Sequence, residues 1–371
     1  MTHQTSILSL IAALAATAAA GAASAVQPTV EVIAQGLNNP RGLGFAPNGD
    51  LYVAEAGSGG TGNCRTAPDP ANPDVCYGET GALTRIDPWG IQPPLRLVRN
   101  LPSMAGPGGF AASSGPVDVD FFGMSALVAM GWGGDPGLRD GIGPKSTWFG
   151  ALLRVLPNGA VTSVTDIAAH ETEFNPAGGA VDSNPNGIVA LPGRRIVADA
   201  GANALIESRT LDRQHLLRNR TLAVLPPTAF GVESVPTTVV EGPDGHLYVG
   251  QLTGAPFFRA SASIYRVPPH GGTPQVYVGG LTAVVDIAFD RMGTLYIVEI
   301  ASGYVPPPAG DGNPGVGNGR LLRKPAGGPV EVLLEGLVFP AGVAVGPDGT
   351  LYVTNFAIFP GDGQVLRVTL N

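Results

Sequence analysis

Short runs of alternating apolar and polar residues follow one another in pairs along most of the chain. The pair "NPRGLGFAPNG" at 39 and "LYVAE" at 51 is nearly repeated as "FPAGVAVGPDG" at 339 and "LYVTN" at 351. Related pairs begin at 115, 184, 235 and 283, so the pattern has six copies. Most pairs are separated by a short segment such as PNG or PDG, which is typical of a turn with glycine at positive φ. Each copy therefore predicts two antiparallel strands joined by a hairpin.

A third and often a fourth strand follow each pair. Examples are "GALTRID" at 81 and "GQVLRV" at 363 for the third strand, and "VEVLLEGL" at 330 for the fourth. Repeated units of four antiparallel strands predict an all-β fold, a six-bladed β-propeller. The last copy ends after its third strand, whereas "TVEVIAQGL" from Thr29 has no hairpin partner nearby. We predict that this N-terminal strand completes the sixth blade and closes the ring, which pairs strand edges that would otherwise stay open.

The first 25 residues have the pattern of a signal peptide. An Ala-rich apolar run starts near Ile7 and ends at Ala23-Ser24-Ala25, a small-residue cleavage pattern, although no Lys or Arg precedes the run. The alternative, an N-terminal membrane anchor, is disfavoured because the run is short and rich in alanine. We therefore predict a secreted, extracytoplasmic protein with a single propeller domain at 26–371.

Cys64 and Cys76 are the only cysteines, and they lie in a segment rich in Pro, Asp and Gly. In an exported protein this pair predicts a disulfide. Closing so short a loop contributes on the order of 3 kcal/mol in the chain-entropy model. A zinc site is disfavoured because no histidine is nearby.

The charge and hydropathy of the chain narrow the range of partners. The net charge is −8 and no basic cluster occurs, which disfavours nucleic acid. After the N-terminal run, no apolar stretch approaches the roughly 18 residues that a membrane span needs. We expect a monomer that binds a protein, a glycan or a small molecule.

Long connections are predicted on one face of the disc, which we call the mouth. It is the face where each first strand begins and each second strand ends, and the opposite side is the far face. Since loops on a rigid scaffold carry most binding and catalytic residues, function is expected at the mouth. The long connections are 57–80, 131–147, 172–184, 227–234, 252–261 and 300–318.

Polar residues recur at the strand ends that meet at the mouth. Asp118 and Asp286 share one register in blades three apart, so we expect them to face each other across the channel. The first strands also bring Arg41, Asn186 and Thr237, and we expect Arg41 to pair with a carboxylate such as Glu55. The second strands end at Glu55, Met130, Asp199, Gln251, Glu299 and Asn355.

A ring of carboxylate and amide oxygens around a narrow channel suits a hard cation such as Ca²⁺. The candidate metal ligands are Asp118, Asp199, Asp286 and Glu299. The alternative is a water-filled channel in which the polar groups cap exposed strand ends. The sequence leaves both interpretations open.

Several segments together resemble the ScyD/ScyE family of exported propellers, which is related to NHL-repeat proteins. The resemblance covers the whole chain after the first 25 residues. It implies a six-bladed fold and export, and the family has no established catalytic residues to carry over. The matching segments are "GLNNPRGLGFAPNGDLYVAEAGSGG", "CYGETGALTRID", "GWGGDP", "DSNPNG", "VGQLTGAPF" and "GPDGTLYVTN".

The first functional hypothesis is a binding module that uses the mouth. Loop aromatics are candidate anchors, and packing of each aromatic onto its own loop is the alternative. The aromatics concerned are Trp132, Tyr304, Phe257 and Phe258. The polar ligand-binding candidates are Arg41, Asp118, Asn186, Gln251 and Asn355, together with Trp132.

The second hypothesis is a Ca²⁺-dependent lactonase or esterase, in which the cation polarises a carbonyl. The chain's histidines fall outside the mouth registers, and no G-x-S-x-G motif occurs, so a Ser nucleophile is unsupported. A quinone-dependent sugar dehydrogenase is disfavoured because it needs a histidine base at the mouth. The candidate catalytic residues of the hydrolase are Glu55, Asn186, Asp199, Asp286 and Glu299.

Overall fold

The computed structural model of the chain describes residues 28–66, 74–109, 114–210, 217–301, 303 and 318–370. Its strands form six antiparallel sheets whose first strands lie side by side around a central channel. The fold is thus the predicted six-bladed β-propeller with four-stranded blades. The predicted signal peptide lies outside the described residues.

The first half of the chain forms the ring-closing strand and blades 1 to 3. Blade 1 carries an extra two-residue strand, and a short helix follows the last strand of blade 2. The elements are β1 (Thr29–Asn38); β2 (Pro40–Phe45), β3 (Leu51–Glu55), β4 (Cys64–Arg65), β5 (Val75–Ile86) and β6 (Leu95–Ala105) in blade 1; β7 (Gly115–Phe122), β8 (Ser125–Gly131), β9 (Ala151–Val155), β10 (Val161–Asp166) and α1 (Ala168–Phe174) in blade 2; and β11 (Pro185–Leu191), β12 (Arg194–Asp199), β13 (Ala204–Thr210) and β14 (Leu217–Val224) in blade 3.

The second half forms blades 4 to 6 with the same order of strands. In each blade the first strand is innermost and the fourth lies at the rim. The elements are β15 (Pro236–Glu241), β16 (Leu247–Gln251), β17 (Ala262–Val267) and β18 (Gln275–Leu281) in blade 4; β19 (Val284–Phe289), β20 (Leu295–Glu299), β21 (Gly319–Lys324) and β22 (Glu331–Leu337) in blade 5; and β23 (Val343–Val345), β24 (Leu351–Asn355) and β25 (Pro360–Thr369) in blade 6.

Successive side chains of a strand point to opposite faces of its blade, and each face packs against a neighbouring blade. In β3, Leu51 and Val53 are fully buried in one cluster with Tyr352 of blade 6, whereas Tyr52 faces the cluster shared with blade 2. At the far face the β2–β3 turn is closed by a hydrogen bond from Ala46 N–H to Asp50 O at 2.8 Å. The core is therefore a ring of apolar layers between blades, as expected for a propeller.

The N-terminal strand closes the ring as predicted. β1 pairs antiparallel with β25, from Thr29 opposite Thr369 to Gln35 opposite Gln364, and forms the outermost strand of blade 6. Leu37 near its mouth end is buried in the cluster between blades 6 and 1. Closure therefore rests on both a hydrogen-bonded ladder and apolar packing.

The predicted disulfide is present, but its loop is shorter than expected. Cys64 and Cys76 are bonded and lie opposite each other in the pairing of β4 with β5. β5 already begins at Val75, so the long connection expected at 57–80 ends about six residues earlier, because the strand extends beyond the ladder of its own blade. No helix among the described residues is long and apolar enough to cross a membrane.

We expect Leu37→Ala to lower the free energy of unfolding by about 2–5 kcal/mol, because it opens a cavity under the closing strand. Val32→Ala is the matched control, since Val32 lies on the same strand with 48% of its surface exposed. It should change stability by less than about 0.5 kcal/mol. Urea unfolding at equilibrium measures both variants, and equal effects would show that closure does not depend on this packing.

Candidate functional site

A bulge in the first strand aims side chains into the channel. In blades 1 to 5 the ladder between the first two strands shifts near the start of the first strand, as between Pro116 and Asp118. Such bulges redirect a side chain away from the sheet. The side chains enclose a central cavity of ≈ 50 Å³, which has room for a few waters. Its lining residues are Arg41, Gly42, Val117, Asp118, Asn186, Thr237, Val285, Asp286 and Ala341.

Asp118 and Asp286 occupy the same register, as predicted, and each binds the next blade. Asp118 Oδ2 accepts from Ile188 N–H at 2.8 Å, and Asp286 Oδ2 accepts from Val343 N–H at 2.8 Å. The other oxygen of each carboxylate accepts from the N–H of the following residue. Asp286 Oδ1 also accepts from Thr238 Oγ1 at 2.7 Å. Both carboxyl groups thus satisfy backbone amides that no neighbouring strand can pair.

The two central carboxyl groups are difficult to ionise. Burial raises the pKa of Asp118 well above its usual value, and repulsion by Asp286 raises it further. Burial also raises the pKa of Asp286 to about 6, although hydrogen bonds from Thr238 and Val343 oppose the shift. Desolvation lowers the pKa of Arg41 on the same cavity to about 10. Protonation of either aspartate therefore relieves the repulsion between the two carboxyl groups.

The polar residues that end the second strands hold the segments that lead from the preceding blade into their own. Glu55 accepts from Asn38 N–H at 2.7 Å, and Glu299 accepts from Thr282 N–H at 2.7 Å. Asn355 Oδ1 accepts from Val338 N–H at 2.7 Å. Asn38 and Thr282 lie two residues before the first strand of the blade, and Val338 lies five residues before β23. These side chains therefore fix the entry of the chain into its blade.

The remaining second-strand ends follow the same rule with different donors. Gln251 donates to Ser234 Oγ at 3.1 Å and accepts from Ser263 N–H at 3.0 Å. Asp199 accepts from Asn184 N–H and from Ser183 Oγ, both at 2.6 Å. Blade 2 has an apolar residue here, and its Met130 is fully buried in the core.

The ion pairs of Glu55 and Glu299 differ from the expected one. Glu55 is paired with Arg96 on the outermost strand of its own blade, with Nε at 2.9 Å and a terminal nitrogen at 2.8 Å from its oxygens. Glu299 is paired with Arg320, which is its cross-strand neighbour on β21. The expected partner of Glu55, Arg41, instead lines the central cavity. The long side chain of Arg96 reaches Glu55 from the fourth strand, at the rim of the blade. The register of the inner strands, on which the prediction was based, gives no information about this contact.

The four candidate metal ligands do not come together in one group. Asp118 and Asp286 line the central cavity, whereas Asp199 and Glu299 are buried against their own blades' loops. Throughout the described ranges, no three His, Cys, Asp or Glu side chains are arranged to hold a metal ion. A cation at the cavity would have to compete with the backbone amides that the two aspartates already bind.

A carboxylate cluster at the mouth between blades 2 and 3 was missed by the sequence reasoning, which named only Asp199. Glu171 of α1 is 2% exposed, and its pKa is raised to about 7 by burial and by repulsion from Asp199 and Asp182. Burial raises the pKa of Asp199 to about 6. The signal available in the sequence was weak, because Glu171 lies on a helix that the strand pattern does not predict.

Trp132 does not present an aromatic surface at the mouth. Its side chain is fully buried, its ring lies 5.4 Å from that of Phe149, and its Nε1–H donates to Asp135 O at 3.0 Å. The guanidinium of Arg65 lies 3.9 Å from the centre of its ring. Trp132 therefore packs its loop onto the disc, which corrects its assignment as an exposed anchor.

An aromatic pair of one exposed and one half-buried ring lies at the mouth of blade 4. Phe230 is 63% exposed and its ring lies 5.0 Å from that of Phe258. Phe257 is half-buried at φ 59, between Thr253 at φ 72 and Ala260 at φ 55. Left-handed backbone at three non-glycine residues of one loop is costly and tends to mark ligand-binding segments. Phe230 was not predicted, although its loop was, and Tyr304 lies outside the described residues.

The two loops under this pair are joined by backbone hydrogen bonds. Leu252, Thr253 and Gly254 donate from their N–H groups to Val235, Ser234 and Glu233 at 3.0–3.1 Å. We call exposed Phe230 and half-buried Phe258, with the two loops that carry them, the aromatic platform. Its backbone is held in place before any ligand arrives, which reduces the entropy that binding must overcome.

Solved structures confirm the class of fold. The chain is similar to a streptogramin B lyase at 14% identity, with a TM-score of 0.50 over 93% of this chain and 98% of that one. A glucose dehydrogenase and the apo-form of the soluble aldose sugar dehydrogenase of Escherichia coli each match at 13% identity and a TM-score of 0.54, over 93% of this chain and 100% of theirs. Identities this low show the six-bladed propeller fold alone.

No protein-family model matches the chain, and no curated protein matches it. The resemblance to the ScyD/ScyE family therefore stays a prediction, as do export and the NHL-repeat relationship. Any inference about function therefore rests on the mouth itself, which has a cavity, buried carboxylates and the aromatic platform.

We expect the buried Asp199 to make the protein less stable as the pH rises. Its folded pKa of about 6 exceeds its usual value of 3.8, so its contribution is fully present below about 3.8 and is lost as the pH rises through about 6. Between about pH 5 and about pH 7.5 the wild type should lose about 1 kcal/mol that Asp199→Asn does not lose.

Urea unfolding at the two pH values measures this difference. Asp362→Asn is the control, because Asp362 is exposed and should keep the wild-type pH dependence. If the free energy of unfolding changed equally with pH in the wild type and in Asp199→Asn, Asp199 would not be the source of the pH dependence.

Proposed function

We propose that the protein is a binding module that holds its ligand at the mouth, with the aromatic platform of blade 4 as the main contact. The observation that carries this proposal is the exposure of Phe230 beside Phe258 on two loops that are bonded to each other. An exposed aromatic pair on an ordered base is typical of a binding contact, because it buries much area at little entropic cost.

The geometry of the polar residues supports binding over catalysis. The carboxylates that could act as acid, base or metal ligand are engaged by backbone amides or by arginines, as at Glu55 and Glu299. The proteins with similar structures are named for lyase and dehydrogenase activities, so the fold alone does not select a reaction. The ligand class stays as predicted from the sequence: a protein, a glycan or a small molecule.

The binding proposal is tested with a defined ligand panel and three proteins. Wild type, Phe230→Ser and Trp89→Ser are titrated with neutral oligosaccharides, aromatic small molecules and apolar peptides, using thermal shift and then calorimetry. Trp89 is a suitable control because it is 60% exposed in a far-face turn. We expect a ligand whose affinity falls about tenfold or more in Phe230→Ser and is unchanged in Trp89→Ser, as for a binding hot spot. Equal loss in both variants, or no loss in Phe230→Ser, would contradict the proposal.

The second candidate, a Ca²⁺-dependent lactonase or esterase, is favoured by one observation. Asp118 and Asp286 form a buried pair with raised pKa values on a cavity that also holds Asn186. Paired acids of this kind recur at catalytic and metal sites. For Ca²⁺ to bind here, the two aspartates would have to be ionised and release the backbone amides that they bind.

The two candidates differ in their response to calcium. The binding module predicts that thermal unfolding with Ca²⁺ coincides with unfolding in EDTA, and that lactones and esters are not hydrolysed. The hydrolase predicts a higher midpoint with Ca²⁺, since a ligand of the native state stabilises it by mass action. That rise should disappear in Asp286→Asn, and elemental analysis of the purified protein should then show calcium.

A further inference from the structure

A second groove lies at the rim of the disc, between α1 of blade 2 and β14 of blade 3, away from the central channel. Its volume is ≈ 690 Å³, within the range of ligand sites. His170 and Phe174 form the wall on the helix side, and Arg209, Arg218 and Arg220 lie on the strand side. We call this groove the arginine groove.

The arginines of this groove form an unusual cross-strand row. Arg194 on β12 lies opposite Arg209 on β13, which lies opposite Arg218 on β14. Like charges directly opposite each other in a sheet are destabilising. Arg220 adds a fourth guanidinium. Glu207, which lies opposite Arg220, is the carboxylate that pairs with these arginines.

Glu207 cannot neutralise the row. It is fully buried and forms ion pairs with Arg194, Arg209 and Arg220 at once, which leaves this cluster with more positive than negative charge. Arg218 makes no ion pair within the described part of the chain, and it is exposed. The sequence analysis expected no basic cluster, and this expectation is wrong because the sheet brings together arginines from three strands. In a protein with a net charge of −8, this concentration of arginines attracts an anionic ligand.

The two faces of β14 differ in chemistry because successive side chains of a strand point to opposite sides. Arg218 and Arg220 share the face of Arg209, whereas Asn219 and Thr221 face blade 2. Asn219 donates to Asp166 O at 2.8 Å, and Thr221 is bonded to His170 at 2.9 Å. One face of the strand is therefore cationic, and the other adjoins the helix.

The side chains of α1 that line the groove are an aromatic ring and an imidazole, although the exposed Glu173 lies on the same helix. Phe174 is 56% exposed, and its ring lies 4.6 Å from that of His170. Burial lowers the pKa of His170, so its imidazole is neutral at pH 7. Val224 is exposed near the mouth end of the same groove.

The edge of β14 is open along the groove. β14 is the last strand of its sheet, and no described strand pairs with its outer side. From Arg218 to Val224 the strand extends over roughly 20 Å, the length of about six residues of extended chain. An elongated groove along an unpaired strand fits an extended peptide better than a compact molecule.

We propose that the arginine groove binds an acidic peptide segment as a fifth strand on β14, with acidic and apolar side chains at alternate positions. Main-chain hydrogen bonds to the strand edge provide affinity. The acidic side chains lie over Arg218 and Arg220, and the intervening apolar side chains face His170 and Phe174. This site is separate from the aromatic platform, and its test does not depend on what the mouth binds.

The test uses fluorescence anisotropy with labelled hexapeptides and the whole protein at low salt. The probe is an alternating Glu–Val peptide. A Gln–Val peptide removes the charge, and a peptide with three Glu followed by three Val keeps the composition but loses the alternation. We expect measurable binding of the Glu–Val probe and at least about tenfold weaker binding of the other two. Equal binding of all three would overturn the proposal.

Two charge-reversal variants locate the site. Arg218→Glu should weaken the Glu–Val probe by about tenfold, because an attraction becomes a repulsion at an exposed position, and it should gain affinity for a Lys–Val peptide. Arg99→Glu is the matched control, since Arg99 is exposed on β6, the outermost strand of blade 1. Loss of binding in both variants would mean a general charge effect and would overturn the assignment.

Two further outcomes would also overturn the proposal. If no peptide binds to the wild type, the arginine row serves only to keep the strand edge from pairing, as charged edge residues commonly do. If a polyuronate binds with a dependence on Arg218 and the peptides do not, the groove recognises anionic glycans instead.

Discussion

The backbone amides of the innermost strands impose the constraint on which the rest of this structure depends. An innermost strand has a ladder partner on one side only, so amides on its channel side need acceptors from elsewhere. Asp118 and Asp286 supply these acceptors across two of the blade junctions, and Asp120 does the same for Ala190 N–H at 2.7 Å. The ring is thus held at its centre by side chains and at its seam by the pairing of β1 with β25.

The other junctions are closed by hydroxyl groups or by glycine. Thr237 Oγ1 donates to Val284 O at 2.9 Å, and Thr354 Oγ1 donates to Arg41 O at 3.0 Å. Where Asp118 passes blade 1, a Cβ on Gly42 would lie 2.0 Å from its Oδ1. In the same register, Gly187 and Gly342 lie against the backbone of the next blade, where an added Cβ would be 2.5 Å from Thr238 Cα and 2.6 Å from Arg41 O.

Much of the fold could be predicted because its signals are local. Alternating runs and glycine turns repeat in every blade, and counting them places Asp118 and Asp286 in one register. The orphan strand from Thr29 likewise predicted how the ring closes. These inferences need only the period of a strand and the number of copies.

The partners of the polar residues could not be predicted in the same way. Glu55 is paired with Arg96, which lies on the fourth strand beyond several register shifts between β5 and β6. Trp132 is buried in an apolar cluster with Phe149, and Arg65 reaches over its ring from blade 1. Contacts of this kind depend on three-dimensional packing between segments that are distant in the chain. A polar residue at a strand end can therefore look like a ligand in the sequence and serve the architecture in the structure.

The closing ladder also determines how the molecule can be attached to anything else. Thr29 lies opposite Thr369, and both are at the far-face end of their strands. The described chain therefore enters and leaves the disc on the side away from the aromatic platform. A tag or surface linker joined at either end would leave the mouth pointing outward, so immobilised protein would be oriented for ligand capture without further engineering.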